Sequence, residues 1–562
     1  MNAFTLDAAA TAWASCAFSE AHSQTMNTDV LVLGAGMAGL RAAVRARELG
    51  RRVAIAYEGR GASPFIIGCN APFAHADSSD SIEKYAADVV AGGCGLSDQA
   101  LVDVLTRQAM RGVRELVEIG APIARDGEHF RQRQLSGNWY PRSIYHPDGL
   151  GAQAIPALSA YAKRIGVQVL PGHQAVRLLV DGDRVCGALL RVKRNGTWVP
   201  VVAHSVVMAL GGLGRLYHDS TYPSDVEASS YALGYQVGAP LVDMEFVQFE
   251  PLCTYMPTAL KGLELPTSML VEGAHLLNSN GERFMFRHNP EWGEGRIEKA
   301  KLSLCIQQEI DEGRGVDGGV IYDATRVPAD IIEGYRRHCA RLRKAGLDPL
   351  ALRVPVRPAA HSQMGGLWID ENAATLVPGL YAAGEAAGGL HGASRIAGNG
   401  GADALVFGDI AGASAARHDG PSPDSRGPVN GAFQAIAAVG STSGKLDARE
   451  AKYQIRRAVS TGAGLYRTDV GLRLGMATLS ALTERIQVDF RLSDDASRAE
   501  ASAALGMARI GSALMAAALA RTESRGAHQR RDYPQTVDSW RKHVVIGHGV
   551  GNEMKLRIEP VQ

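Results

Sequence analysis

The sequence predicts an α/β protein in three parts: a discontinuous Rossmann-like dinucleotide-binding domain, an inserted α+β capping domain and a C-terminal helical domain. Three observations predict it. A strand-like run, Thr28 to Leu33, leads through GAGMAG into a helical apolar pattern over Leu40 to Leu49. Glycine-rich signals stop after Tyr222 and return near Arg357, in RPAAHSQMGGLWIDENAATLVPGLYAAGEAAGGLHGASRIAGNGGADALVFGDIAG. Beyond a Pro-, Ser-, Gly- and Asp-rich linker over Pro421 to Gly431, the stretch Ala448 to Arg525 is rich in Ala, Leu, Arg and Glu at helical spacing.

Taken in order, Arg52 to Tyr57 reads as the second strand of a βαβ unit, and Ser81 to Gly120 carries two helical patterns. Val167 to Val192 and Val199 to Leu210 read as strands broken by the turn pairs Asp181-Gly182 and Asn195-Gly196. Leu241 to Pro355 mixes short strands with helices such as Lys299 to Asp311, as an insertion capping the cofactor would, and the chain ends in a Gly-rich, strand-like tail. The resulting boundaries are 1–26 for an N-terminal extension, 27–240 and 356–420 for the cofactor domain, 241–355 for the cap and 432–562 for the helical domain. Met1 to Thr25, without an obvious period, reads as a flexible tail or the product of a misplaced start codon rather than a targeting signal.

Length and charge bound the function. A chain of 562 residues is too long for one core, and a formal net charge of +1 gives no global field for nucleic acid or an anionic membrane surface. Small molecules are the expected ligands. Seven cysteines without a CxxC pair write neither a zinc site nor a self-contained iron–sulfur cluster, so no metal ligand is expected, and they suit a reducing, cytoplasmic setting. No run approaches the ~18 or more apolar residues of a spanning helix; membrane contact, if any, is expected through a partner.

Gly34, Gly36 and Gly39 stand between strand and helix, where missing side chains let the backbone approach a pyrophosphate and the helix N-terminus offers N–H donors. The acid expected at the end of the second strand is displaced. Tyr57 holds its place and Glu58 follows one residue later, as a ribose ligand or a surface loop acid.

These motifs, with ALGGLGR (Gly211, Gly212, Gly214) and VPGLYAAGEAAG (Gly384, Glu385), resemble those of the succinate dehydrogenase, fumarate reductase and L-aspartate oxidase flavoprotein family over roughly Thr28 to His543. The resemblance implies an FAD-binding domain, with Glu385 meeting the ribityl or ribose region and Asn399 in the second cofactor stretch. Covalent members carry a histidine after the first serine of a flavin loop. In SPFIIGCN that position is Pro64, which implies non-covalent FAD, and Cys69 of the same loop reads as a buried, inert thiol.

The resemblance also assigns a chemistry site. His361 in HSQMGG matches the histidine that binds a substrate carboxylate, and Arg395 in HGASRIAGN matches the arginine that holds a second carboxylate contact, a task suited to its fixed fork of donors. Arg296 in EGRIEKAKLS takes the place of the arginine that exchanges a proton with the substrate carbon, but Ile297 stands where the family has Asp. The family's relay glutamate and arginine fall on Thr267 and Leu270, unless a gapped alignment restores Glu272 to the glutamate position. At VQFEP the family writes QFHPT, so Glu250 replaces a histidine that holds a dicarboxylate's far end. Like charges at hydrogen-bond distance disfavour each other. Glu250 therefore suits a substrate with an amine, imidazole or hydroxyl opposite its carboxylate, or a base that removes an α-proton, or a buried structural pair with an arginine. His391, His146 and Asp148 read as support for the fold or flavin pocket, and ESRGAHQRRDYP as packing and ion pairing.

The implied activity is hydride transfer between flavin N5 and a small carboxylate other than plain succinate or fumarate. Two further readings stand beside it: a flavoprotein subunit that passes electrons to an iron–sulfur or other acceptor partner, and a flavin-binding scaffold without turnover.

Overall fold

The apolar run after Thr25 forms strand β1 (Met26–Leu33), followed by helix α1 (Met37–Glu48) and strand β2 (Val53–Tyr57). The computed structural model describes residues 25–295, 297–420, 426–549 and 553–561. Parallel pairing of β1 with β2, and of β2 with β3 (Gln168–Pro171), builds one side of the main sheet. On the other side come β4 (His173–Asp181), β5 (Arg184–Val192) and β6 (Trp198–Met208), giving the order β3-β2-β1-β6-β5-β4. The strands β4, β5 and β6 are an antiparallel meander, whereas β6 runs parallel to β1.

A second sheet lies in the expected insertion. It runs β7 (Val247–Thr254), β10 (Arg353–Gln363), β9 (Val320–Asp323) and β8 (His275–Leu277), packed under helix α2 (Lys299–Asp311) and followed by α3 (Arg336–Lys344) before β10. Leu252, Leu276, Phe284, Ile306, Tyr322 and Val356 form a core separate from that of the main sheet. Strand β10 leaves this core and ends beside the main sheet's domain, carrying His361 with it. The chain then adds β11 (Leu380–Ala382) parallel to β6, and helix α4 (Asn399–Arg417) returns against α1.

Why α1 and α4 lie so close is written in small residues. A Cβ on Gly408 would meet the Ala38 carbonyl oxygen at 2.7 Å, and one on Gly412 would meet that of Ala42 at 2.3 Å. Buried Arg41 locks the pair, with Nη2 donating to Asp409 at 2.6 Å and also to Glu115.

The C-terminal part is helical as expected: α5 (Ala448–Gly462), α6 (Asp469–Asp489) and α7 (Asp495–Ala520). Two expectations change here. A helix over Arg426–Ala437 starts inside the linker composition, because Pro428 falls in its first turn, where no intrahelical N–H partner is lost. And α7 is, by length and composition, apolar enough to cross a membrane, with mean hydropathy 1.6, although no uninterrupted apolar run marks it; 67% of that stretch is buried inside the protein. Its Ala, Leu, Gly and Met residues face α5 and α6 on several sides, which calls for an apolar surface nearly all round. The ESRGAHQRRDYP stretch is ion-paired: Glu523 accepts from Arg521 and Arg525, and Arg521 reaches Glu245 at 2.7 Å.

Gly412→Ala is expected to lower stability by about 1–3 kcal/mol through overpacking, read as a drop in the thermal midpoint. A midpoint equal to the parent's would show that α1 and α4 can part without cost.

Candidate functional site

The cavity below the ends of β1, β6 and β11 is lined by Gly34, Gly36, Gly211, Gly384, Gly398, Gly400 and Gly401, and holds about 1710 Å³ of space, its open mouth included. Gly34 has φ +105°, and a Cβ there would meet the Ala209 carbonyl oxygen at 2.1 Å. A Cβ on Gly39 would meet the Gly34 carbonyl oxygen at 2.0 Å, so this glycine seats the helix on the turn without lining the cavity. Both α1 and α4 begin at a glycine, Gly36 and Gly398, with no side-chain cap. Two N-termini whose N-cap glycines supply no side-chain cap face one cavity and offer N–H donors, apart from Met37 N, and partial positive charge to an anionic cofactor. The buried Nδ1 of His391 and Oε1 of Gln363 also lack a partner at this wall. These donors, with the Gln363 acceptor, fit a flavin dinucleotide.

Other expected cofactor residues divide. Glu58 lines the cavity mouth with its carboxylate engaged by Lys193 Nζ at 2.8 Å. Glu385 lines the interior, where it accepts from Gln363 N at 2.8 Å and from Tyr222 Oη; burial pushes its carboxyl above the ordinary range. Gly212 and Asn399 do not line the cavity. Gly212 is needed because a Cβ would lie 2.6 Å from the Glu385 carboxyl, and the Asn399 amide oxygen is occupied by Asn70 Nδ2 at 2.7 Å and Tyr85 Oη at 2.8 Å. Asn399 thus braces the start of α4 through its neighbours. Pro64 sits in a short turn whose Ser63 Oγ accepts from Met37 N at 2.9 Å. Cys69 is buried, and desolvation pushes its thiol up to about 12. His391 pairs with Asp403 at 3.2 Å beside the cavity, whereas His146 and Asp148 lie away from it.

At the far end stand His361, Arg395, Lys299, Glu264 and Thr221. Strand β7 organises them. Gln248 Nε2 donates to the Arg395 carbonyl at 3.0 Å and to Ser394 Oγ at 2.9 Å. Residues 252–254 pair back with 263–265, through Thr254 N to Leu263 O at 2.9 Å and Leu265 N to Leu252 O at 2.8 Å, which turns Glu264 toward β10. There His361 Nδ1 lies 3.2 Å from Glu264 Oε1 and 3.1 Å from Thr221 Oγ1.

Glu250 is buried and does not line the cavity; both its oxygens accept from Lys299 Nζ, at 2.9 and 2.8 Å. The expected structural pairing is present, with a lysine in place of the arginine. Burial alone would lower the Lys299 ammonium's pKa, but the Glu250 carboxylate outweighs it and holds the group above its ordinary value. Burial likewise opposes charge on His361, and Glu264 raises it nonetheless; the Glu264 carboxyl, pushed up by burial, is brought below its ordinary value by His361 and Lys299. Ligand atoms of Glu250, Glu264 and His361 lie within 4.8 Å of one another, a spacing that could hold a metal, yet the Lys299 ammonium already supplies the cation there.

Arg296 lies outside the described residues. Among the described residues, Lys299, the first residue of α2 and three positions after Arg296, brings a cation to this wall of the cavity. Neither relay alignment delivers a group to the cavity: Thr267 and Leu270 fall in a 3₁₀ turn, with Leu270 in the cap core, and Glu272 accepts from Tyr335 Oη at 3.1 Å. Glu264 was missed because only the backbone pairing with Cys253 aims it inward.

Residues 29–400 match the family described as FAD binding domain, and residues 452–562 that described as fumarate reductase flavoprotein C-term. The chain is 32% identical over 540 residues to one subunit of the fumarate reductase (CoM/CoB) of Methanothermobacter marburgensis, covering 93% of this chain and 98% of that one. It is 32% identical over 541 residues to the L-aspartate oxidase of Mycobacterium tuberculosis, covering 92% and 95%. A solved quinol fumarate reductase chain from E. coli superposes with a TM-score of 0.88 at 27% identity, covering 96% and 97%.

The shifted pair carries a pH signature. His361's raised pKa makes its contribution complete below 6.5 and lost as pH rises through its folded value, and Glu264's lowered pKa makes its contribution complete above 4.5 and lost as pH falls through its folded value. The thermal midpoint difference between the parent and Glu264→Gln should therefore be largest between pH 4.5 and 6.5 and shrink in alkali. A difference that stays constant into alkali would contradict the pairing.

Proposed function

Because the chain belongs to the succinate dehydrogenase, fumarate reductase and L-aspartate oxidase family of FAD-dependent oxidoreductases, we propose that it moves a hydride between flavin N5 and a carbon of a small carboxylate other than plain succinate or fumarate. The observation that carries this reading is Arg395. Its guanidinium lines the cavity, and its one hydrogen bond among the described residues is a long one, 3.4 Å to the Ile396 carbonyl, with no carboxylate paired to it. An unpaired fork of donors in an enclosed site suits a ligand carboxylate.

Bound FAD supplies the two-electron exchange. Arg395 holds the substrate carboxylate, with His361 as the second contact, oriented by Thr221 and Glu264. Lys299 takes the acid/base or charge-stabilising role that sequence assigned to Arg296, since its ammonium faces the cavity and Glu250 holds it from behind. Glu250 is then a positioning residue. Gly34, Gly36, Gly211, Gly384 and Glu385 are proposed to contact FAD, and Glu58 to stand at the ribose end of its site. FAD is held without a covalent bond, a reading supported by Pro64 in the flavin loop. The cytoplasm is the proposed location, supported by six free cysteines among the described residues.

A second reading concerns the electron acceptor. Phe65 and Ile67 line the cavity and are also 47% and 52% exposed, so an electron-transfer partner could dock beside the flavin there; similarity to a chain that is one part of a multi-chain fumarate reductase supports an iron–sulfur partner as acceptor.

Acid precipitation is expected to release the flavin into the supernatant; yellow colour retained in the pellet would overturn non-covalent binding. Lys299→Met should keep FAD and lower turnover by about 10²- to 10⁴-fold, the usual contribution of a positioned acid or base, in a dye-linked assay with the best carboxylate. Turnover within twofold of the parent would remove Lys299 from the mechanism.

A further inference from the structure

We infer that the substrate carries one carboxylate and, facing Glu264, a hydrogen-bond donor such as an amine or hydroxyl, where a dicarboxylate would bring its second carboxylate. This rests on the carboxylate reading above and names the class of molecule it takes.

Counting partners at the substrate end leads there. Among the described residues, three side chains that can carry positive charge line it: Arg395, Lys299 and His361. Lys299 gives two hydrogen bonds to Glu250, and His361 Nδ1 faces Glu264 Oε1. Arg395 alone has no carboxylate partner among the described residues, which leaves one full site for an anionic group. On the anionic side, Glu264 lines the cavity with its side chain 39% exposed, and its contact with His361 is through Oε1. Its Oε2 meets no donor among the described residues. An ionised carboxylate oxygen with an open lone pair is satisfied by an N–H or O–H, and it repels a second carboxylate.

The surroundings keep Glu264 ionised. His361 and Lys299 both favour its charged form. Arg341 and His338 on α3 stand behind it without lining the cavity, and burial disfavours charge on His338. Glu250, one shell behind Lys299, adds a second negative charge to the same wall. A dicarboxylate anchored on Arg395 would thus put its free end toward two carboxylates. An amino acid or hydroxy acid anchored the same way would present a donor to Glu264 Oε2.

The test compares small acids on the FAD-loaded protein under anaerobic conditions. Succinate is set against 4-aminobutanoate and 4-hydroxybutanoate, and against L-alanine and L-lactate, which place the donor next to the carboxylate. Flavin bleaching gives the rate with these saturated acids; reoxidation of chemically reduced flavin by fumarate and by crotonates carrying a 4-amino or 4-hydroxyl group covers the reverse direction. At least one donor-bearing monocarboxylate should exceed its dicarboxylate counterpart by about tenfold or more in rate at low concentration. Glu264→Gln should erase most of that preference, while Glu264→Asp, which keeps the charge, should retain it; flavin content reports folding of both variants. Equal or better handling of succinate or fumarate by the parent would overturn the inference and leave the carboxylate oxidoreductase reading standing. So would a preference unchanged in Glu264→Gln. Failure of every carboxylate to exchange electrons in either direction would sink both.

Discussion

Everything at the cavity depends on how closely α1 and α4 approach. These helices come from opposite ends of a discontinuous domain, and their N-termini reach one cavity only because Gly408 and Gly412 let α4 lie against the carbonyls of Ala38 and Ala42. The buried Arg41–Asp409 pair holds that contact at a cost in desolvation that only good geometry offsets. Move α4 outward by the width of a methyl group, and the second helix N-terminus no longer faces the same ligand as the first. The same displacement would carry Arg395, which stands four residues before α4, away from His361. Cofactor affinity and substrate geometry are therefore set by one packing contact.

The cap adds charged groups to the substrate end of the cavity. Strand β10 brings His361 across from the cap sheet, β7 buries Glu250, its return loop aims Glu264, and α2 begins with Lys299. The arrangement alternates in sign, Glu250, Lys299, Glu264, His361, so buried Glu250 and its partly exposed neighbours each have a counter-charge. Arg395 stands outside that chain of compensation, with no carboxylate partner among the described residues, and on this ground the proposed ligand position lies at its guanidinium. The proposed function rests on an imbalance of one guanidinium and one carboxylate oxygen among the described residues of an otherwise balanced wall.

Much of this was legible in the sequence, for a physical reason. The βαβ entry, the two glycine clusters and the helix over Lys299–Asp311 are local patterns, set by backbone conformations and periodicities that a few neighbouring residues dictate. Gly34 at φ +105° can be read from its motif because no larger residue tolerates both the angle and the contact with Ala209. What sequence could not give was the direction of side chains set by distant pairing. Glu264 looks like any loop acid until residues 252–254 pair with 263–265. Lys299 opens α2, and only the seating of that helix on β7 decides that it meets Glu250. Asn399 was expected as a cofactor residue from the family resemblance, and Asn70 and Tyr85, far away in sequence, occupy its side chain. The apolar character of α7 was diluted by scattered polar residues, so it escaped notice as an unbroken run.

The central claim is that one cavity brings a flavin and a substrate carboxylate together so that hydride passes directly between them. The most direct measurement is the anaerobic rate of flavin bleaching by the best donor acid, protiated and then deuterated at the reacting carbon. Direct transfer predicts a several-fold slower bleaching with deuterium and loss of bleaching in Arg395→Met at the same donor concentration. An isotope-independent rate that also survives removal of the Arg395 guanidinium would contradict the account.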